Sequence, residues 1–539
     1  MDSPTKNQSI TNAAPARAVA VKDATDIEPG NDNLDPSSHT HAIDDVFADS
    51  QVKLRRGLHG RSITIMGLAG AIGTGLFLGS GKAVTNGGAV GAVLGYTVMG
   101  VAIGCMMMCL GEMTVFRPHA GSIVSFAGDF VDDSFAFAFG WTYYLFPAII
   151  PAVELVAAAI LIQYWDTNSD HMAIYLVVMM GGVMACNMLG SRWFGELEAG
   201  FGILKVTAIV GLIILGLVID LGGAPNKDRL GFRYWKEYPF NDDYLDISNK
   251  TTARFLGFWA VLTQAAFSYG GVELIALAAG EAQNPRVAMA SVYRRMFLRI
   301  GLLYVVSMWI ISMCVPRNDP NLLAELASGK TSVAESPFVI MINRAGISVL
   351  PHIINAVVLT SAFSAGNFSF FMGSRMLVAL GRQGYGPKAL TRVTKNGVPI
   401  YGFVIQSVFL CLSFLALSNG PNKAFNWLSN LTTLCNMICW TCVCVCFIRF
   451  HKACVAQGVD RKSFVFRSYF QPYLAWATMI FIGIVMFFNG FATFIGEEFD
   501  YQNFIVAYIT LVIFAILYVG YRLIRRTKLI PIMAIDLSY

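Results

Sequence analysis

Long apolar runs, separated by polar and charged segments, dominate this chain. We count twelve such runs. Most have about 19 to 27 residues, enough for a helix to cross a bilayer core of about 30 Å. They lie near 62–80, 87–112, 134–165, 172–190, 195–221, 255–281, 296–316, 350–380, 399–418, 424–448, 473–495 and 502–524. The pattern predicts an all-α polytopic membrane protein with about twelve transmembrane helices, numbered here as spans one to twelve.

The two ends of the chain lack this pattern. Residues 1–55 are polar and rich in Asp, Ser, Asn, Pro and Ala, which predicts a disordered cytoplasmic tail. We therefore predict a tail at 1–55, a twelve-helix domain at 56–525 and a short cytoplasmic C-terminal tail at 526–539. The N-terminal tail is a candidate contact for ubiquitin or trafficking machinery, and a plain solvated tail is the alternative.

Composition agrees with a membrane protein and excludes several other classes of protein. The chain is 55% hydrophobic and only 14% charged, whereas soluble domains carry about 25% charged residues. No basic stripe with interleaved aromatic residues is present, so we expect no nucleic-acid partner. Most of the eleven cysteines fall inside apolar runs without histidines at zinc spacing, so we predict no metal site, no disulfide framework and no cofactor.

Basic residues fix the predicted orientation. They recur in alternate short loops, which the positive-inside rule assigns to the cytoplasm. Representative members are Arg117, Arg192, Arg286, Arg382, Arg449 and Arg522. Both chain termini are therefore predicted to be cytoplasmic.

Two glycine-rich motifs interrupt apolar runs at matching positions. Span one contains Gly67-Leu68-Ala69-Gly70-Ala71-Ile72-Gly73-Thr74-Gly75, and span six contains Phe267-Ser268-Tyr269-Gly270-Gly271-Val272-Glu273. Glycine weakens helices, and unwound backbone inside a bilayer is tolerated only where it is buried in protein or lines a cavity. The two motifs are five crossings apart, so the two broken helices enter the membrane from opposite sides. This arrangement predicts an inverted repeat of five plus five helices, two accessory helices and a binding site at the breaks.

Four groups of residues resemble the fungal amino acid permeases of the amino acid–polyamine–organocation superfamily. They are Gly73 to Gly81, Leu110-Gly111-Glu112-Met113, Phe267 to Glu273 with Ala279-Gly280-Glu281 and Asn284-Pro285-Arg286, and Ser364-Ala365-Gly366-Asn367 with Ser374-Arg375. The resemblance runs in order through spans one to eight. It implies the leucine-transporter-like fold, proton-driven uptake of an amino acid, and location in the plasma membrane.

A zwitterionic substrate requires donors for its carboxylate. Freed N–H groups around Ile72, Gly73, Thr74 and Gly75 supply such donors together with the positive potential of a helix N-terminus. Glycine also lets the backbone approach a ligand closely. The alternative is that these glycines serve only helix packing.

The break in span six offers acceptors for the substrate ammonium group. These are the carbonyls of Phe267, Ser268 and Gly270, and the resemblance implies the same location. Tyr269 is expected to shape or gate the pocket, with ordinary apolar packing as the alternative.

Ionisable residues within spans are costly and therefore candidate functional groups. Glu273 follows the break in span six and is a candidate proton carrier, ammonium contact or structural cap. Glu154, in span three, is a candidate for substrate selectivity. The alternatives are a hydrogen bond to a backbone carbonyl freed by Pro151 and simple pairing between helices. Glu112, near the end of span two, is a candidate gate residue. The alternative is an ordinary carboxylate at the membrane interface.

Lys205, near the middle of span five, resembles the lysine of proton-coupled relatives, which occupies the place that sodium takes in sodium-coupled members. A buried lysine loses its proton more readily than an exposed one. The alternative is a lysine that extends to the membrane surface.

Together these features predict a secondary active transporter that imports amino acids by proton symport with alternating access. No bond in the substrate changes, so we do not expect an enzyme. Its predicted partners are the amino acid, protons and the lipid bilayer. An amino acid sensor on the same fold is the alternative. A channel is disfavoured because two broken helices that close one central site differ from a continuous polar pore.

Overall fold

The computed structural model describes residues 64–70, 72–118, 122–166, 168–281, 284–320, 322–323, 336–495 and 499–537. The predicted tail 1–55 lies outside these residues. Eleven helices in the described part are long and apolar enough to cross a membrane. They are Gly79–Phe116, Asp133–Ile162, Ser169–Met188, Ser191–Asp220, Lys250–Ala279, Pro285–Cys314, Leu350–Arg382, Ile400–Ser418, Pro421–Ala456, Tyr473–Phe494 and Tyr501–Arg525. Shorter helices are Met66–Gly70, Thr74–Phe77, Ser122–Phe130, Arg233–Glu237 and Pro337–Arg344.

The longest helix contains parts of two crossings. Gly79–Phe116 has 38 residues, and Gly88 divides it with non-helical angles of φ 75° and ψ 178°. Span one therefore consists of the π-helix Met66–Gly70, the short helix Thr74–Phe77 and the residues that lead up to Gly88, after which span two begins. With this division the described part contains twelve crossings, which confirms the predicted all-helical fold.

Gly88 allows the loop between spans five and six to pack between spans one and two. The N–H groups of Ala89 and Val90 donate to the carbonyls of Tyr238 and Pro239 at 3.0 and 2.9 Å. A Cβ atom at Gly88 would lie 2.6 Å from the Cα atom of Phe240. A positive φ and this close approach both favour glycine, and the loop satisfies backbone donors at the start of span two.

The spans divide into an inner and an outer group. In span three 89% of the most apolar window is buried, and in spans six and ten the value is 83%. In span four it is 22%, and in span twelve 11%. Exposed apolar side chains on the outer spans suit contact with lipid chains. The candidate site is therefore built on the inner spans, which bury the large side chains Tyr143, Tyr269 and Trp440.

Two predicted span boundaries differ most from the structure. Span seven begins at Pro285 rather than near residue 296, because proline fits the first turn of a helix and the basic residues that follow it continue the helix beyond the apolar run. Span ten continues to Ala456 rather than ending near residue 448. In both cases hydropathy located the membrane-crossing part, but the helix extends beyond it.

The C-terminal segment 526–537 packs against one face of the helical domain. The N–H of Ile530 donates to the carbonyl of Val131 at 3.0 Å, and the side chain of Gln457 donates to the carbonyl of Ile535 at 2.7 Å. Arg117, at the end of span two, pairs with Asp536 at 2.5 Å. This segment is held by backbone and side-chain contacts along its length.

Candidate functional site

Span one is unwound where the sequence predicted. One helical piece ends at Gly70 and the next begins at Thr74, which frees backbone groups between them. The N–H of Thr74 donates to both carboxylate oxygens of Glu154, at 3.3 and 3.2 Å. The carbonyl of Ile72 accepts from the Nζ atom of Lys205 at 2.7 Å. A buried acid therefore satisfies the freed donor, and a buried lysine satisfies the freed acceptor.

Glycine at position 73 makes room for this arrangement. A Cβ atom there would lie 2.0 Å from Oε1 of Glu154 and 2.9 Å from the Cβ atom of Ala365. The hydroxyl of Thr74 is buried and has no hydrogen-bond partner among the described residues. The break thus holds a carboxylate close to the backbone and keeps one further hydroxyl donor beside it.

Span six is also broken at the predicted glycines. Its first helix ends at Tyr269, Gly271 has a φ of 81°, and a 3₁₀ helix, Val272–Glu281, follows. The hydroxyl of Ser268 donates to the carbonyl of Gly75 at 2.7 Å. The two breaks are therefore in direct contact, as expected of helices that enter from opposite sides.

The carboxylate of Glu273 lies in a fully buried cage. The hydroxyl of Tyr143 donates to Oε1 at 2.6 Å, and the indole N–H of Trp440 donates to Oε2 at 3.0 Å. These donors come from spans three and ten, and they suit an acceptor carboxylate. Glu273 therefore ties the inner spans together just beyond the break in span six.

Span five carries a further buried acid, Glu198, which sequence reasoning missed. Glu198 accepts from the hydroxyl of Ser364 at 2.8 Å and from the amide of Asn367 at 2.7 Å. It lies two helical turns before Lys205, on the same face of the span, and both side chains are 1% exposed. The hydroxyl of Ser361 also donates to the carbonyl of Ile72, at 3.2 Å. Spans five and eight together enclose the break in span one.

A small cavity of about 20 Å³ lies between the breaks. Its lining comprises Gly73, Gly75, Phe146, Ile150, Glu154, Phe267, Ser268, Gly270, Gly271, Ala365 and Ser369. A vestibule of about 470 Å³ lies next to it, with Lys82, Gln264, Asn426 and Thr433 among its polar lining residues. Phe267 lines both spaces. Since a cavity needs about 10–15 Å³ to hold one water molecule, the inner cavity has room for about one water and is almost closed to an amino acid in this conformation.

Most of the predicted binding residues lie together at the breaks. Gly73, Gly75, Phe267, Ser268, Gly270 and Glu154 line the small cavity. Ile72 and Thr74 lie beside it and are held by Lys205 and Glu154. Tyr269 does not line the cavity; its hydroxyl donates to the carbonyl of Tyr96 at 2.9 Å. The described residues contain no group of three or more His, Cys, Asp or Glu that could hold a metal ion.

Glu112 lies in a separate polar network. Its carboxylate is fully buried and accepts two bonds from Arg461, at 2.6 and 2.7 Å. It also accepts from the N–H and the hydroxyl of Ser468, at 2.8 and 2.5 Å. Both partners belong to the segment between spans ten and eleven. Glu112 therefore connects span two to the accessory helices and contacts neither break.

The known proteins that this chain resembles in sequence are amino acid permeases. The family model described as "Amino acid permease" matches residues 62–531. The chain is 36% identical over 521 residues to the dicarboxylic amino acid permease of Saccharomyces cerevisiae, a match that covers 95% of this chain and 85% of that protein. It is 39% identical over 459 residues to the probable proline-specific permease put4 of Schizosaccharomyces pombe, covering 85% and 82%.

A solved structure supports the same fold. The chain resembles a mutant manganese transporter of Eremococcus coleocola with a TM-score of 0.55, and the match covers 88% of this chain and 95% of that chain. The sequence identity is 12%. This similarity concerns the arrangement of helices and carries no information about the transported species.

Proposed function

Since the chain belongs to the amino acid permease family, we propose that it imports a small neutral amino acid by proton symport with alternating access. The observation that carries the proposal is the hydrogen bonding of the Thr74 N–H to the carboxylate of Glu154. A backbone amide at the break in span one already binds a carboxylate. The α-carboxylate of an amino acid has the same chemistry and takes that position when Glu154 leaves it.

Displacement of Glu154 links substrate binding to a proton. Two carboxylates that share one small site repel each other, so that one of them binds a proton. When Glu154 is protonated, its hold on the Thr74 N–H weakens, and the substrate carboxylate replaces it. Lys205 remains on the carbonyl of Ile72 and supplies positive charge beside the break. Proton binding and substrate binding therefore favour each other, which is the requirement for symport.

The substrate ammonium group binds at the break in span six. Here the helix ends at Tyr269, so the carbonyls of Ser268 and Gly270 precede irregular backbone and suit a cationic donor. Glu273 lies directly beyond the break in its cage of Tyr143 and Trp440. Its proposed role is to hold the broken span in shape and to respond to protonation.

The residues that line the inner cavity favour a small, uncharged side chain on the substrate. Phe146, Ile150, Phe267 and Ala365 form apolar walls, and Glu154 is the only charged residue of the lining. A second substrate carboxylate would meet no lysine or arginine there, so burying it would be costly. This lining favours substrates such as proline or alanine over aspartate or glutamate.

Two unequal spaces suit an alternating-access cycle. In this conformation the vestibule is wide, whereas the inner cavity is almost closed behind Phe267. We assign the vestibule to the outer side, because the opposite face carries the basic residues of the short loops and segment 526–537. Both termini are then cytoplasmic, and import into the cell requires the plasma membrane as the location.

The test is uptake of labelled proline by cells that lack their own amino acid permeases. We expect competition by small neutral amino acids but not by glutamate or lysine. Accumulation should collapse with a protonophore and should be unchanged when choline replaces sodium. Sodium-dependent uptake would contradict proton symport, and competition mainly by glutamate would contradict the proposed substrate class.

A pair of variants tests the role of Glu154 directly. Glu154→Gln keeps the shape of the side chain but cannot exchange a proton, so it should lose accumulation against a gradient and keep exchange between preloaded vesicles and medium. Ile150→Val changes the same cavity without changing its charge and serves as the matched control. If Glu154→Gln accumulates substrate as the parent does, the proposed link between carboxylate displacement and protonation is wrong.

A further inference from the structure

A third cavity, of about 290 Å³, lies between the start of span one and the start of span seven. Gly67, Arg295 and Arg299 contribute to its lining, and Val292, Met296 and Leu298 supply apolar walls. It shares no lining residue with the small cavity at the breaks. Leu298 is 60% exposed, so this cavity extends to the apolar outer surface of the protein.

Arg299 is the unusual member of this lining. Its side chain is 1% exposed, yet no carboxylate among the described residues is in direct contact with it, and Glu273 interacts with it electrostatically at longer range. Nη1 donates to the carbonyl of Gly67 at 2.6 Å, and Nη2 donates to the hydroxyl of Tyr304 at 3.4 Å. Nε has no hydrogen-bond partner in the described part of the chain. A buried cation without a counter-ion in direct contact is costly, so an anion at this position would relieve the cost.

Arg295 provides a second positive charge at the same cavity. It lies one helical turn before Arg299, so both side chains occupy one face of span seven. Arg295 is exposed, whereas Arg299 is buried, and together they line the cavity from its surface to its depth. The neighbouring Phe297 is 49% exposed and, like Leu298, presents apolar area at the protein surface. The cavity thus combines two guanidinium groups with walls that suit a hydrocarbon chain.

We propose that this cavity binds the phosphate group of an anionic phospholipid. The phosphate pairs with Arg295 and Arg299, and the upper part of an acyl chain lies against Val292, Met296 and Leu298. Basic pockets between membrane helices are suited to lipid headgroups, and anionic lipids are concentrated in the cytoplasmic leaflet. The proposed orientation of the protein exposes this cavity to that leaflet.

Lipid binding at this position would act on span one. Arg299 holds the carbonyl of Gly67, within the helical piece Met66–Gly70 that leads into the break. A phosphate paired with Arg299 would offset the cost of burying that cation in the position where it contacts this piece. The bound lipid would therefore favour the conformation in which this part of span one stays packed against span seven.

The test measures lipid binding to the intact, purified protein. Native mass spectrometry with phosphatidylserine or phosphatidylcholine should detect retained phosphatidylserine at several times the amount of phosphatidylcholine. Arg295→Gln should reduce the retained phosphatidylserine at least about threefold, since one guanidinium–phosphate contact is lost. Arg299→Gln should reduce it further. Arg295 is exposed, so its replacement tests the proposal even if Arg299→Gln fails to fold.

Arg294→Gln is the matched control. Arg294 is adjacent in sequence but donates to the carbonyl of Val465 at 3.0 Å and does not line this cavity. Its replacement should leave lipid retention unchanged. Equal retention by the parent, Arg295→Gln and Arg299→Gln proteins would overturn the proposal. Displacement of the retained lipid by millimolar inorganic phosphate would identify a site for free anions and would overturn the assignment to a lipid.

Discussion

The contact between the two broken spans can be tested by adding a methyl group at either of two glycines, in separate variants. Gly75 and Gly79 lie one helical turn apart, and both face span six. A Cβ atom at Gly75 would lie 2.7 Å from the Cα atom of Ser268, which is backbone and cannot rotate away. A Cβ atom at Gly79 would have its nearest neighbour, the hydroxyl of Ser268, at 3.6 Å, an ordinary contact distance. Gly75→Ala should therefore separate the breaks, whereas Gly79→Ala should fit.

The expected effect follows from the cost of overpacking. Forcing a methyl group into a closely packed contact costs about 1–3 kcal/mol. The backbone shift needed to make room for the methyl group also weakens the 2.7 Å hydrogen bond from Ser268 to the carbonyl of Gly75. Such a cost reduces the population of the closed arrangement by about 5- to 150-fold. Gly75→Ala should lower the initial rate of uptake at low substrate concentration by that factor, while Gly79→Ala should stay within about twofold of the parent, because an ordinary contact leaves the packing unchanged.

The assay is initial uptake of labelled proline over a range of concentrations, normalised to the protein at the cell surface. Normalisation separates lost transport from lost folding or delivery. Parental uptake by Gly75→Ala at equal surface amounts would refute the required close contact between the breaks. An equal loss in Gly79→Ala would instead indicate general sensitivity to a larger residue along span one.

Three further perturbations follow from the buried charges. Lys205→Ala should abolish proton-driven accumulation but keep substrate exchange, measured by counterflow in proteoliposomes; unchanged accumulation would remove Lys205 from coupling. Glu273→Gln should flatten the pH dependence of uptake if Glu273 titrates during transport, and a parental pH profile would leave it a structural role. Glu112→Ala should destabilise the detergent-solubilised protein by about 3–5 kcal/mol, because it leaves the cation of a buried ion pair without its partner. The melting temperature measures this effect, and Asp228→Asn, at an exposed pair, should leave it unchanged; equal melting temperatures for Glu112→Ala and the parent would contradict the structural role.

The breaks could be predicted from sequence because their cause is local. Gly70, Gly73, Gly270 and Gly271 fall within apolar runs whose length already indicates a crossing. Helix propensity and the bilayer's intolerance of unsatisfied backbone act on those few residues alone. The odd number of crossings between the breaks then gave their opposed entry. The structure adds that the breaks touch, through Ser268 and Gly75.

Glu198 shows a signal that was present but not used. It lies seven residues before Lys205 in the same span, which places both side chains on one helical face. An acid and a base two turns apart in an apolar helix indicate a polar face that must meet partners on another helix. Those partners, Ser364 and Asn367, belong to the span-eight motif through which the chain resembles the permeases.

Other partners depend on tertiary contacts that no local pattern contains. The donors to Glu273 are Tyr143, 130 residues away, and Trp440, 167 residues away. Glu112 and Arg461 are separated by 349 residues. Each of these residues has an unremarkable local sequence, and the packing of the inner spans alone brings them together. The sequence could thus identify the buried acids as costly without revealing what stabilises them.

The break in span one sets a physical requirement for the binding of a ligand carboxylate. It frees one backbone donor and one backbone acceptor, and a buried charge of the appropriate sign meets each: Glu154 at the N–H of Thr74 and Lys205 at the carbonyl of Ile72. Any ligand carboxylate that binds the same donor must displace Glu154 into a small cavity whose described lining contains no lysine or arginine. An ionised Glu154 would then be left without its hydrogen bonds in a poorly solvated site, so the displaced form is the protonated one. In the proposed mechanism, the contact between Glu154 and the Thr74 N–H therefore makes the entry of an anionic group depend on a proton.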